Sequence, residues 1–203
     1  MTTKTNIMSL LFAAGLAATS SAAVSSVVYG NLGVNEDAVI NNTNTVLTSS
    51  VLRAQGFTTG NTALTIQTIK LGLSADTSTN VSVSIYSNIS NRPGNLLFTS
   101  SSVSVSDQGT YSFSFTGAEL LAVTSYWVRP DSDIRWHISG DESSPEELNG
   151  SGYAFLGTKQ SSNSGSTWSN SSLPYSVSIA AVPEPSSALL GALGMLALVR
   201  RRR

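Results

Sequence analysis

The chain reads as an all-β protein: a jelly-roll-like antiparallel β-sandwich, flanked by an N-terminal signal helix and a C-terminal transmembrane helix. Three observations carry that expectation. Apolar side chains recur at every second position in five separate runs, the period of a strand with one buried and one wet face. Turn signals rich in Gly, Asn, Asp and Pro separate the runs. No convincing helical period appears between the two termini.

The first element is a secretory signal. Lys4 supplies a small positive region, residues 7–18 are almost entirely apolar, and Ser21-Ala22-Ala23 has the small side chains that signal peptidase requires. Cleavage is expected after Ala23, which makes residues 1–23 a signal peptide. Residues 31–50 are polar and weakly patterned, and read as a loop. Leu64 and Ile66 are then followed by Ile69, Leu71 and Leu73, which changes phase. A β-bulge near Gln67-Thr68 restores one buried face; two adjacent strands are the alternative.

The regular runs follow. Val81, Val83 and Ile85 alternate with Ser82, Ser84 and Tyr86. Val103 and Val105 alternate with serines, as do Tyr111, Phe113 and Phe115. Ile134, Trp136 and Ile138 alternate with Arg135 and His137, and Tyr175, Val177 and Ile179 with Ser176 and Ser178. Turns are expected at Gly60-Asn61, residues 76–80, Asn91-Arg92-Pro93-Gly94 and Asp107-Gln108-Gly109. The Pro-Gly pair suits the centre of a type II turn. Residues 141–148, an acidic patch, have the composition of one helical turn. Residues 157–172 read as a long loop with Trp168 as its only large anchor.

The segment between the terminal signals, residues 24–181, is long enough for one domain with a real core. The chain has no cysteine, so disulfides, thiol nucleophiles and Cys-based metal sites are excluded. Only 11% of the chain is charged, where about 25% is usual. Six basic and eleven acidic side chains remain once both terminal segments are removed, a net charge of −5. That balance offers no basic patch, so no nucleic-acid partner is expected.

Residues 182–203 form a three-part tail: Pro183-Glu184-Pro185, an apolar span over residues 187–199, and Arg200, Arg201, Arg202 and Arg203. Apolar side chains favour lipid, and terminal arginines resist crossing it. The span is shorter than the roughly twenty residues a lasting transmembrane helix needs. The tail resembles the PEP-CTERM sorting signal of exported bacterial proteins. That resemblance implies a membrane stage, processing by an exosortase-type enzyme, and delivery to the cell envelope or extracellular matrix. It also implies a host that makes exopolysaccharide.

Two internal clusters resemble the choice-of-anchor R domain. One is Ile85-Tyr86-Ser87-Asn88 followed by Arg92-Pro93-Gly94-Asn95-Leu96-Leu97. The other runs from Leu120 to Val128 and includes Thr124, Tyr126 and Trp127. Val123 stands where that pattern usually carries glycine, and Ser125 is inserted between Thr124 and Tyr126. The resemblance implies an extracellular β-sandwich with no catalytic residues to carry over.

The only histidine, His137, falls on the strand face opposite Trp136 and Ile138 and reads as an exposed strand residue. No Gly-x-Ser-x-Gly elbow singles out a serine for a triad. Asp131, Asp133, Asp141, Glu142, Glu146 and Glu147 lie close in sequence, but clustering alone does not give glycosidase geometry. Asp131-Ser132-Asp133 offers alternate carboxylates to a structural Ca²⁺, without the EF-hand glycine or closing glutamate. These acids read as solvated loop charge, with a structural Ca²⁺ as the alternative for Asp131 and Asp133, and no cofactor is expected.

Trp136 shares its face with Ile134 and Ile138 and reads as core. In Tyr126-Trp127 one ring is expected inside and one outside. Trp168 is the candidate glycan contact, set among Ser166, Thr167, Ser169 and Asn170; a plug against the sandwich edge is its alternative role. The sequence therefore points to an exported, non-enzymatic surface or matrix protein with a structural or adhesive role. A carbohydrate-binding module for exopolysaccharide is the second reading, and a glycan-active hydrolase the third.

Overall fold

A computed structural model describes residues 25–32, 40–139, 146–147 and 152–183. The expected signal peptide and transmembrane segment, together with Asp141, Glu142, Glu184, Pro185, Arg200, Arg201, Arg202 and Arg203, lie outside the described residues. Among the described residues no helix is long and apolar enough to cross a membrane.

The strands, in chain order, are β1 (Ser26–Gly30), β2 (Ile40–Val46), β3 (Leu52–Thr58), β4 (Leu64–Ser74), β5 (Thr79–Val81), β6 (Val83–Asn88), β7 (Pro93–Thr99) and β8 (Val103–Val105). They continue with β9 (Gly109–Leu120), β10 (Ser125–Pro130), β11 (Arg135–Ser139), β12 (Glu146–Glu147), β13 (Ala154–Ser161), β14 (Ser169–Ser171) and β15 (Val177–Pro183). The fold is all-β and its ladders are antiparallel. One sheet runs β12-β1-β15-β4-β11-β2, with β9 on the other edge of β4. The second runs β14-β13-β3-β10-β6-β7, and β5 and β8 form a small pair of their own.

The two large sheets share one core. Tyr29 of the first sheet meets Phe57 of the second at 5.7 Å between ring centroids, and Phe57 meets Tyr126 at 6.0 Å. The alternating apolar positions fill this space: Val81, Val83, Ile85, Phe113, Phe115, Ile134, Trp136, Val177 and Ile179 are all buried. Burying that surface is the main force holding the sheets together.

The phase break in β4 is a bulge within one strand. Ile66 pairs with Ala181 and Thr68 with Ala180, so Gln67 is left without an opposite residue on β15. The ladder to β9 shifts at the same place. The extra residue turns Leu64, Ile66, Ile69, Leu71 and Leu73 to one buried face.

Several expectations need correction. The β6–β7 turn is centred on Ser90 and Asn91, not on Pro93-Gly94. Ile89 and Arg92 exchange backbone hydrogen bonds of 3.0 and 3.2 Å, and φ is 51° at Ser90 and 58° at Asn91. Positive φ at both central residues is the type I′ pattern that matches strand twist, and Pro93 opens β7. Residues 157–172 are not one long loop: β13 and β14 form a hairpin there. Residues 31–50 contain β2, paired with β11. Glu146 and Glu147 are extended rather than helical, opposite Gly30 and Tyr29.

Alternation also misjudged the second face at several points. Ser84, Ser176 and Ser178 are buried, as is His137. Tyr126 and Trp127 are both buried, although they point to opposite faces. Trp127 lies across β3 on the outer face of the second sheet. A Cβ added at Gly56 would come within 2.9 Å of its ring. Asn88 Oδ1 accepts from the Trp127 Nε1 at 2.9 Å, and the Lys159 ammonium sits 6.0 Å from the ring centroid.

Strand register gives the sandwich two distinct ends. At one end Leu64 pairs with both Pro183 and Leu120, and Thr58 pairs with Ser125. At the other, Ser74 pairs with Arg135 and Pro130 with Val83. The eleven residues of β4 separate the two ends by roughly 33 Å.

Candidate functional site

The end away from Pro183 carries a polar cleft of about 310 Å³. Three loops build it. The β2–β3 loop turns tightly, with Thr48 N donating to Val51 O at 3.0 Å and Val51 N returning to Thr48 O at 3.1 Å. The β10–β11 loop is tied down by Asp131 N to Ser82 O at 2.9 Å and by Ser132 Oγ to Asn80 O at 2.9 Å. The β13–β14 turn joins through Ser164 N, which donates to Ser50 O at 3.0 Å. Thr48, Ser49, Ser132 and Ser164 bring hydroxyls to the cleft, and Arg129, Asp131 and Asp133 bring charge.

Arg129 and Asp131 organise the cleft's inner wall. Arg129 donates to Asp131 Oδ1 from Nε at 3.0 Å and from Nη2 at 2.8 Å. The same Nη2 donates to the Tyr86 hydroxyl at 2.6 Å, and the guanidinium carbon sits 4.8 Å from the Tyr86 ring centroid. Tyr86 donates to Asp131 Oδ1 at 3.2 Å. Ser84 Oγ donates to Asp131 Oδ2 and bonds Thr99 Oγ1 at 2.9 Å. Burial pushes the Tyr86 hydroxyl above its usual pKa; the Asp131 charge adds to the shift and Arg129 opposes it.

The two aspartates proposed for calcium thus face the same cleft, but in different states. Asp131 has both oxygens engaged and a guanidinium beside it. Asp133 is exposed. Among the described residues, no three His, Cys, Asp or Glu side chains gather in a way that would hold a metal ion.

Trp168 borders this end from the β13–β14 turn and is partly buried. A Cβ at Gly165 would lie 3.7 Å from its ring and 3.4 Å from Leu52, a residue of the cleft wall. Asn163 shapes that turn, its Oδ1 accepting from Thr167 N at 2.9 Å. Trp136 is far from such a role: its ring stacks on Tyr175 at 4.6 Å and its Nε1 donates to Ser176 O at 3.1 Å.

His137 finds a partner that the sequence did not suggest. Its Nε2 lies 2.8 Å from Ser74 Oγ, at the rim of a second, smaller cleft of about 240 Å³. Asp76, on the same rim, is gripped by both terminal nitrogens of Arg135. The buried hydroxyl–imidazole bond ties β4 to β11. No signal in the sequence apart from ordinary alternation marked Ser74, and in the Ser84–Asp131–Arg129–Tyr86 network Asp131 stood out as a loop carboxylate, without its partners.

The sorting segment begins inside the first sheet. Ala181 pairs with Ile66, Val182 with Thr65 and Pro183 with Leu64. β15 therefore runs two residues into the segment that the sequence reading gave to the tail. No curated protein matches the chain. The PEP-CTERM protein-sorting motif matches residues 181–203. The match implies export, membrane association and processing by an exosortase, and in this chain the motif starts on a core strand.

Proposed function

We propose that the sandwich is the structural, adhesive part of an exported bacterial surface or matrix protein, and that it is not an enzyme. The observation that carries this reading is the opposition of the two ends. The sorting motif leaves at one end, so the polar cleft faces away from whatever membrane or envelope holds the tail. The choice-of-anchor R resemblance of the β6–β7 and β9–β10 segments agrees with an extracellular sandwich. No cofactor belongs to this reading.

A second reading rests on the cleft itself. Its hydroxyls, its Arg129–Asp131 pair and the neighbouring Trp168 are groups that hydrogen-bond and stack on sugars. In that reading the cleft holds a strand of exopolysaccharide. Glycan-array binding of the exported protein tests it, alongside surface labelling of intact cells. Surface exposure without glycan binding supports the structural reading. Glycan binding that falls when Trp168→Ala is made, at an unchanged melting midpoint, supports the binding module. Release of sugar fragments would overturn the non-enzymatic assignment.

A further inference from the structure

The end of the sandwich from which the tail emerges differs in surface chemistry from the cleft end. The β9–β10 turn follows directly from Leu120, which pairs with Leu64, itself the partner of Pro183. On that turn Leu121 is 69% and Val123 70% exposed. In the second sheet Tyr126 pairs with Ser87, which places Ile89 level with Thr124; Ile89 is 44% exposed. Three large apolar side chains thus project from one end, beside the point where the chain leaves the fold.

Charge is sparse there. Among the described residues, Arg92 and Glu119 are the charged residues near this end, while Asp76, Asp107, Arg129, Asp131, Asp133 and Arg135 all fall toward the other. The turn is also held firmly. Val123 N donates to Gly60 O at 2.9 Å, Leu121 N to the Tyr126 hydroxyl at 3.0 Å, and Thr59 Oγ1 to Leu121 O at 2.6 Å. Its apolar side chains are displayed on a braced loop.

The length of the tail sets how far this end can stand from a bilayer. Pro183 is on β15, and the apolar span begins at Ser187. Four residue steps cover at most about 13 Å when fully extended. The headgroup layer occupies roughly 5–8 Å of that on each side of the hydrocarbon. The remaining gap is at most about 5–8 Å, a distance spanned by the β9–β10 turn, which lies beyond the level of Leu64 and Pro183, together with its side chains.

We propose that this end is a membrane-resting surface: while the tail is in the bilayer, Leu121, Val123 and Ile89 enter the lipid interface, with Arg92 at the headgroup level. The inference rests on the sorting reading of the tail and adds a second, domain-borne contact to it. An apolar tip with little charge takes up the interfacial layer favourably, as apolar faces of interfacial elements do. Once the tail is processed, the tip alone is a weak anchor, and the domain is free to leave.

The absence of native cysteine makes a site-by-site test direct. Full-length chains with single substitutions Val123→Cys, Leu121→Cys, Gln108→Cys or Leu196→Cys are labelled with a polarity-sensitive dye. They are reconstituted in phosphatidylethanolamine–phosphatidylglycerol vesicles, with and without brominated phosphatidylcholine. Labels at 121 and 123 are expected to shift to the blue and lose emission to the brominated lipid, as the label at 196 does. The label at 108, at the cleft end, should be unaffected. Quenching at 196 with none at 121 and 123 overturns the resting surface and leaves the tail intact. No quenching at 196 overturns the sorting reading as well. A blue shift at 121 and 123 that brominated lipid does not quench assigns the tip to contact between copies, which also overturns the proposal.

Discussion

Trp136 has no exposed surface, stacks on Tyr175 and donates to a backbone carbonyl. Trp136→Ala is expected to cost about 3–5 kcal/mol, read from the denaturant midpoint; a loss within the ~0.5 kcal/mol typical of surface changes would contradict its place in the core. Trp127 is buried as completely, but for a reason that period two does not carry. The pattern assigns a face, and it is silent about what lies across that face. The missing side chain at Gly56 and the cover from β13 come from strand pairing, which residue spacing does not encode. His137 and Ser84 were misplaced for the same reason. Tyr29 and Tyr86 extend this to pH. Burial pushes both hydroxyls upward. Above about pH 10 the unfolded chain releases protons that the native chain keeps, so stability present below that pH declines as pH rises. Denaturant midpoints should fall between about pH 9.5 and pH 11, and Tyr29→Phe should reduce the fall.

Strands were legible where a run had one clear period, and β4 was legible even through its bulge. A change of phase between Ile66 and Ile69 has few physical solutions, and Gln67 supplies one of them. Segments without period were not legible. β13 and β14 pair through Thr158, Lys159 and Gln160 opposite Ser171, Asn170 and Ser169, a polar ladder with little hydrophobic signal. The β9–β10 turn carries its own prediction. Val123 sits at φ 48°, a left-handed conformation that costs a residue with a Cβ roughly 1–2 kcal/mol. Glycine is the usual residue at this place in the pattern noted from the sequence. Val123→Gly should therefore raise stability by up to about 1 kcal/mol, after the entropy glycine loses on folding. An unchanged or lower midpoint would show that the bracing hydrogen bonds already absorb the strain.

At the scale of the molecule, the terminal signals were readable because each is a contiguous stretch. The cleft was not, because it is assembled from three loops far apart in the chain, at Thr48, Asp133 and Ser164. The sequence did single out Asp131, Asp133 and Trp168, which the fold brings to one end, but with the aspartates read as solvated loop charge and calcium as their alternative. Asp131 already satisfies both oxygens through Ser84, Tyr86 and Arg129. Melting midpoints in calcium and in chelator are therefore expected to coincide. A rise with calcium would show that Asp133 and the loop carbonyls complete a site.

The position of β15 has a mechanical consequence. The strand lies between β1 and β4, and its C-terminal end is where any pull from the tail is applied. If the load is taken up at the cleft end, force runs along the strand. The ladders on both sides then resist in shear, with many hydrogen bonds loaded together. If the load is taken up at Ser26, which lies beside Ala181 at the same end, the β1–β15 ladder is peeled one bond at a time. Single-molecule pulling between the tail and residue 108 should need markedly more force than pulling between the tail and Ser26. Equal forces would mean that β15 detaches before its ladders share the load. A domain wired in this way is strong along the axis between its tether and its outward face, and weak between its own two termini.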